Sequence, residues 1–157
     1  MSKKSVVPLG CALAAAGALL WVRRRYLVAT VIGPSMEPTF RPGQRLVVRR
    51  VAGDAVRPSD VVVVRDVEPG TPQASPGRRL GPCLIKRVLA RSGDDVPRDL
   101  IPALRDVPEP VVPPGRLVLV GDNADSSHDS RAHGYYLERD VVGKVLRGTQ
   151  ERSARPL

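Results

Sequence analysis

A mostly β domain behind one apolar N-terminal segment is what this chain of 157 residues predicts. Short Val-rich runs recur between residues 28 and 147, with few long helical patterns among them. The chain's 16 Pro and 14 Gly punctuate those runs, so turns are frequent. The third observation is the stretch 6–22, VVPLGCALAAAGALLWV, which carries no charge. The length suits a single folded domain with a modest core, and aromatics at 3% leave that core to Val, Leu, Ile and Ala. The natural division is residues 1–25 as an anchor and residues 26–157 as a β-rich domain.

Taken in order, the apolar run comes first. As a helix rising about 1.5 Å per residue it reaches roughly 25 Å, slightly short of a hydrocarbon core of about 30 Å. Lys3 and Lys4 before it, Arg23–Arg25 after it and Trp21 at the boundary can make up the difference by reaching for the interface. It therefore reads as a single-pass membrane anchor in contact with lipid. A cleaved leader fits less well, because the run passes straight into three arginines with no small-x-small site; a buried helix of a soluble domain is the other alternative. Positive charge on both flanks leaves the orientation open.

YLVATVI (26–32) then reads as a strand ending at the Gly33-Pro34 turn. QRLVVRRV (44–51) and DVVVVRDV (60–67) are strands entered through Pro-containing turns, and 68–82 is a loop rich in Pro, Gly and Ser. CLIKRVLAR (83–91) reads as a strand, with helix as the competing assignment. SGDDVP turns the chain, and 98–115 is a Pro-broken excursion. RLVLVGDN (116–123) and DVVGKVLRG (140–148) supply the last strands.

The net charge of +9 raises two partners, nucleic acid and an anionic membrane surface. Few aromatics for stacking and no nucleic-acid motif argue against the first. Charge near lipid headgroups is the better reading. Of the two cysteines, Cys11 lies within the apolar run, so a bridge to Cys83 is not expected and the chain does not read as a disulfide scaffold.

Chemistry centres on GPSMEPT (33–39), a serine held in a Gly/Pro turn. A serine needs a base to attack at neutral pH. His128 and His133 lie in the polar stretch DSSHDSRAHG, where histidines are ordinarily solvated. Lysine offers another candidate. Among 25 Lys and Arg residues only Lys3, Lys4, Lys86 and Lys144 are lysine, and Lys86 sits inside apolar CLIKRV. Arg keeps its proton, whereas a desolvated Lys gives it up. An ordinary lysine is neutral in only about one molecule in 2,500 at pH 7, but burial lowers its pKa by several units toward the range a general base needs. A surface Lys on an edge strand is the competing reading, and Lys144 in GKV admits the same argument with less apolar cover. DNADSSHD opens like a calcium loop but lacks its mid-loop Gly and closing Glu, and the Cys and His spacings make no zinc site, so no metal is expected.

GPSMEPT (33–39), IKRV with the following Gly-Asp (85–94) and GDNADSSHDSRAHG (121–134) together resemble, in order, the boxes of the type I signal peptidases and the related mitochondrial inner-membrane peptidases. SDVVVV (59–64) resembles the family's Gly-Asp-Val box, and the resemblance spans roughly 28–147. Ala90 and Ser92 stand where the family has Gly and Pro, and the stretch between the base strand and the last box is short, so the extra β domain of some relatives is not expected.

The resemblance implies a signal-peptidase-like β domain with short loops. Ser35 would be the nucleophile, and its backbone N–H would serve the oxyanion hole. Lys86 would be the general base, positioned by Ser127. Asp129 and Arg131 would brace the last box as an ion pair, with Gly33 and Asp122 supporting the site and Met36 walling the substrate pocket. Gly33 stands where some relatives place a second oxyanion donor. No cofactor is implied. The implied substrates are exported preproteins with small residues before the cut, and the implied location is the cell membrane with the catalytic domain outside the cytoplasm. A dedicated maturation protease of the same family and a non-catalytic membrane-anchored binding module are the alternatives.

Overall fold

The computed structural model describes residues 8–66 and 83–149. The expected loop at 68–82 lies outside the described residues, as do Lys3 and Lys4. Helix α1 (Pro8–Arg25) leads into strand β1 (Tyr26–Thr30), followed by β2 (Arg45–Arg49), β3 (Val61–Arg65), β4 (Cys83–Arg91), β5 (Arg116–Val120), a short α2 (Ser130–His133), β6 (Tyr136–Leu137) and β7 (Val141–Thr149). The strands form one antiparallel sheet in the order β1-β2-β7-β3-β4-β5-β6. The mostly β expectation holds, and six of the strands fall where the Val-rich runs stand.

Periodicity explains the packing. In β2, Leu46 and Val48 are buried while Arg45 and Arg49 face out. The unbroken VVVV of β3 has no polar face because both of its faces are covered: Val61 and Val63 pack with Met36, Leu46 and Val48, and Val62 and Val64 with Val56, Val88, Leu117 and Leu119. In β4 the buried residues are Lys86, Val88 and Ala90, a period of two that decides strand over helix. Register shifts at Val47/Val48, Val63/Val64 and Val88/Ala90 accompany the curl of the sheet.

Two elements were not legible. β6 has only two residues, too few for alternation to register. The excursion at 98–115 is a packed lobe, with Ile101, Leu104 and Val112 buried against Val96, Ala90 and Val118. An isolated bridge between Asp95 and Val111 closes it.

The expected transmembrane helix is not shown. No helix among the described residues is long and apolar enough to cross a membrane. The described helix has 18 residues, and its last turn is Arg23–Arg25. The apolar run of the sequence begins at Val6, ahead of the described residues. From Ala14 to Arg25 every side chain of α1 is exposed.

Candidate functional site

The serine turn is built on a closed base. Val31 N–H donates to the Gln44 carbonyl and Gly43 N–H to the Val31 carbonyl, each at 2.9 Å, so the chain between them projects as one loop. Gly33 opens the loop at φ 79°, a conformation glycine adopts without steric cost. Ser35 is half-buried, and Met36 beside it is fully buried in the core cluster of Val31, Leu46 and Val63. The turn therefore displays the serine while its neighbour pins the backbone.

Lys86 stands in the middle of β4 opposite Val62 and is 2% exposed. Its Nζ donates to Ser127 Oγ at 2.7 Å. Burial lowers the pKa of this amine; Asp129 opposes that, Arg131 reinforces it, and Asp66 opposes it. Asp129 is itself wholly buried, accepting from Gly121 N–H at 2.8 Å and from Arg131 N–H at 3.0 Å. Its desolvation pushes the carboxyl pKa up, but hydrogen bonds from Gly121, Ser127 and Arg131 and the Arg131 charge outweigh it and hold the group below its usual range. The Ser127 hydroxyl thus gives its proton to Asp129 and its lone pair to the lysine. Arg131 pairs with Asp129 at 3.4 Å and donates to the Gly121 carbonyl at 2.7 Å. Tyr136, packed in the neighbouring cluster, has its hydroxyl pushed up to about 12, chiefly by burial, and so is no base near neutrality.

Gly121 is where the two halves meet. A Cβ there would fall 2.6 Å from the Ser35 carbonyl oxygen and directly onto the Ser127 hydroxyl. The next residues extend the junction. Asp122 takes a bidentate ion pair from Arg87, at 2.8 and 2.7 Å, and a hydrogen bond from Thr39 lowers its pKa further. Asn123 N–H donates to the Ser35 carbonyl at 3.0 Å, and its side-chain Nδ2 donates to the Pro34 carbonyl at 3.2 Å. Arg87 also reaches the Ser59 carbonyl at 2.9 Å. Ser59 holds φ 74°, a conformation suited to the Gly of the corresponding box. The turn after β4 forms despite Ala90 and Ser92: Gly93 sits at φ 88° and Asp94 accepts from Arg91 N–H at 2.9 Å.

The sequence did not single out Arg87, Asn123 or Gly121's double contact. Each does have a local signal, since Arg87 adjoins Lys86 and the other two belong to the Gly-Asp-Asn turn. The rival candidates lie elsewhere. Lys144 is ion-paired with Asp60 at 2.6 Å. His128 and His133 are exposed and face each other edge to face at 4.8 Å.

A groove of about 470 Å³, counting its open mouth, runs beside Ser35. Ala29–Ile32 form one bank, Cys83–Ile85 the other, and Met36 and Val63 line it between them. Burial raises the pKa of the Cys83 thiol in its wall, with Arg65 opposing. Three strands separate β1 from β4 in the sheet, so the curl is what brings these banks together. Among the described residues, β1 pairs only with β2, and residues 83–86 of β4 pair only with β3. Both banks present strand edges.

The family model described as signal peptidase, peptidase S26, matches residues 4–101 and 99–147. The chain belongs to that family. Signal peptidase family members most similar in sequence include the probable signal peptidase I-1 of Synechocystis sp., 32% identical over 130 residues, a match covering 71% of this chain and 65% of that relative's length. Signal peptidase IB of Staphylococcus aureus is 28% identical over 171 residues, covering 91% of this chain and 88% of the relative. The matched ranges take in the serine turn, the Lys86 strand and the Gly121–Arg131 segment, which the fold brings together at Gly121.

Proposed function

We propose that this chain is a membrane-bound serine endopeptidase that removes N-terminal signal peptides from exported preproteins, with Ser35 and Lys86 as its dyad. The observation that carries the reading is the buried Lys86 amine, hydrogen-bonded to Ser127, with Ser127 and the Ser35 backbone both abutting Gly121. Neutral Lys86 takes the Ser35 hydroxyl proton as the oxygen attacks the scissile carbonyl. The tetrahedral oxyanion is stabilised by the Ser35 N–H. Collapse breaks the C–N bond, the leaving amine takes the proton from Lys86, and water then hydrolyses the acyl-enzyme with Lys86 again as base. Ser127, locked toward Asp129, accepts an amine N–H and so turns the lysine lone pair away from itself.

The open strand edges suit an extended substrate added between β1 and β4. In a pleated segment the first and third residues before the cut point to the same side. Both would meet the groove floor of Met36 and Val63, which favours small side chains. Anchoring by α1 would place enzyme and preprotein in one bilayer at raised effective concentration, with the catalytic domain outside the cytoplasm.

The test is to incubate the purified full chain with unrelated preproteins and map product termini by mass spectrometry. Cuts after small-x-small sequences in several substrates are expected. Cleavage of one substrate alone would mark a dedicated processing enzyme, and cleavage of none would overturn the reading. Asn123→Ala should lower kcat about 10- to 100-fold through loss of alignment of the serine turn. KM and Tm should stay close to wild type, and Asn123→Asp, which lacks the donor, should not rescue it.

A further inference from the structure

We propose that the foot of α1 and the end of β2 form an arginine collar that seats in the headgroup layer of an anionic phospholipid bilayer. This rests on the membrane-anchoring part of the preceding reading and adds the lipid class and the residues that select it.

The sequence shows only Arg23–Arg25 at the helix end; the fold adds two more. Tyr26 is the register partner of Arg49, and Arg50 N–H donates to the Arg25 carbonyl at 2.8 Å, so Arg49 and Arg50 come alongside the last turn of α1. All five are exposed, and none is in an ion pair among the described residues. Five cations in one patch repel one another, and that repulsion is relieved by a dense array of phosphates.

The helix above the collar says which array. Leu19, Leu20, Trp21 and Val22 are each 45–58% exposed, and Ala14 to Val22 offers no polar face. A helix that is apolar all round belongs in an apolar medium. Trp21 lies where that medium would end, with the Arg25 guanidinium 5.6 Å from its ring centroid. Apolar helix, boundary tryptophan and cationic ring in sequence match the depth profile of a bilayer leaflet with anionic headgroups. Free phosphate would satisfy only the last of the three.

The chain has one tryptophan, so Trp21 fluorescence reports insertion directly. Full-length protein, freed of detergent, is titrated with vesicles of phosphatidylcholine alone and of phosphatidylcholine with about 30% phosphatidylglycerol. Arg49→Ser/Arg50→Ser should bind the anionic vesicles about 30-fold more weakly than wild type. The gap should close at about 1 M salt, where screening shortens to a few ångströms, and should be absent on neutral vesicles. Arg49→Lys/Arg50→Lys should bind as wild type, and cleavage of a soluble peptide should be unchanged in both variants. Equal binding of wild type and the Ser variant to anionic vesicles overturns the collar and leaves anchoring intact. Binding to neither vesicle overturns both.

Discussion

Lys86→Arg should reduce preprotein cleavage by about 1,000-fold or more, the scale on which general bases and nucleophiles are lost from serine hydrolases. Ser35→Ala should match it, and the double variant should be no worse than either alone, because the two residues would act as one unit. Arginine keeps the charge but cannot release its proton, so the loss isolates deprotonation from electrostatics. Because arginine is bulky at a site 2% exposed, Lys86→Met is the companion variant, apolar and close in shape. Near-normal turnover by a folded Lys86→Arg or Lys86→Met protein removes the dyad. The pH dependence follows from the same burial. The Lys86 pKa lies below the ordinary lysine value of 10.5, so kcat/KM should rise with pH along an acid limb centred below that value and flatten above it. Stability has a matching sign. Between the folded pKa and 10.5 the unfolded chain holds the proton and the folded chain does not, so stability rises with pH across that window and is lost as pH falls through it. Chemical denaturation of Lys86→Met across the same window should lack that rise.

Gly121→Ala is expected to act on both halves of the site at once. The added methyl would meet the Ser35 carbonyl oxygen, a backbone atom, and the Ser127 hydroxyl that receives the lysine. Neither neighbour yields freely. The carbonyl is held by Asn123 N–H at 3.0 Å, and Gly121's own N–H and carbonyl are tied to Asp129 and Arg131. Overpacking of this kind costs about 1–3 kcal/mol of stability, and displacing reacting groups by about 1 Å costs on the order of 100-fold in rate. Thermal unfolding and preprotein cleavage read the two effects separately. A Gly121→Ala protein with wild-type turnover would show that Ser35 and Ser127 need not keep the spacing described.

What the sequence disclosed and withheld divides by range. Runs such as VVVV at 61–64 and the two-residue period of β4 are local, so the strands were legible. Lys86 stood out by chemistry, a lysine in an apolar run of an arginine-rich chain. The lobe around Ile101, Leu104 and Val112 was hidden because prolines break its apolar residues into no regular period. The groove was hidden because β1 and β4 meet only through the curl of the strands between them. Asn123 and Arg87 lie within stretches the sequence marked, but their roles were hidden because their partners stand 89 and 35 residues away. The apolar N-terminal run suggested a span, but the described helix takes the three arginines in as its last turn and is not long and apolar enough to cross a membrane.

Met36 gives the reactive turn a durability that its Gly and Pro would not suggest. Its side chain is fully enclosed among Val31, Leu46 and Val63, one residue from the serine. Peeling that turn open would extract a core residue, so its opening is tied to disruption of the whole sheet and not to fraying of a surface loop. Conditions that loosen peripheral segments should therefore leave the serine's alignment intact until the protein as a whole gives way.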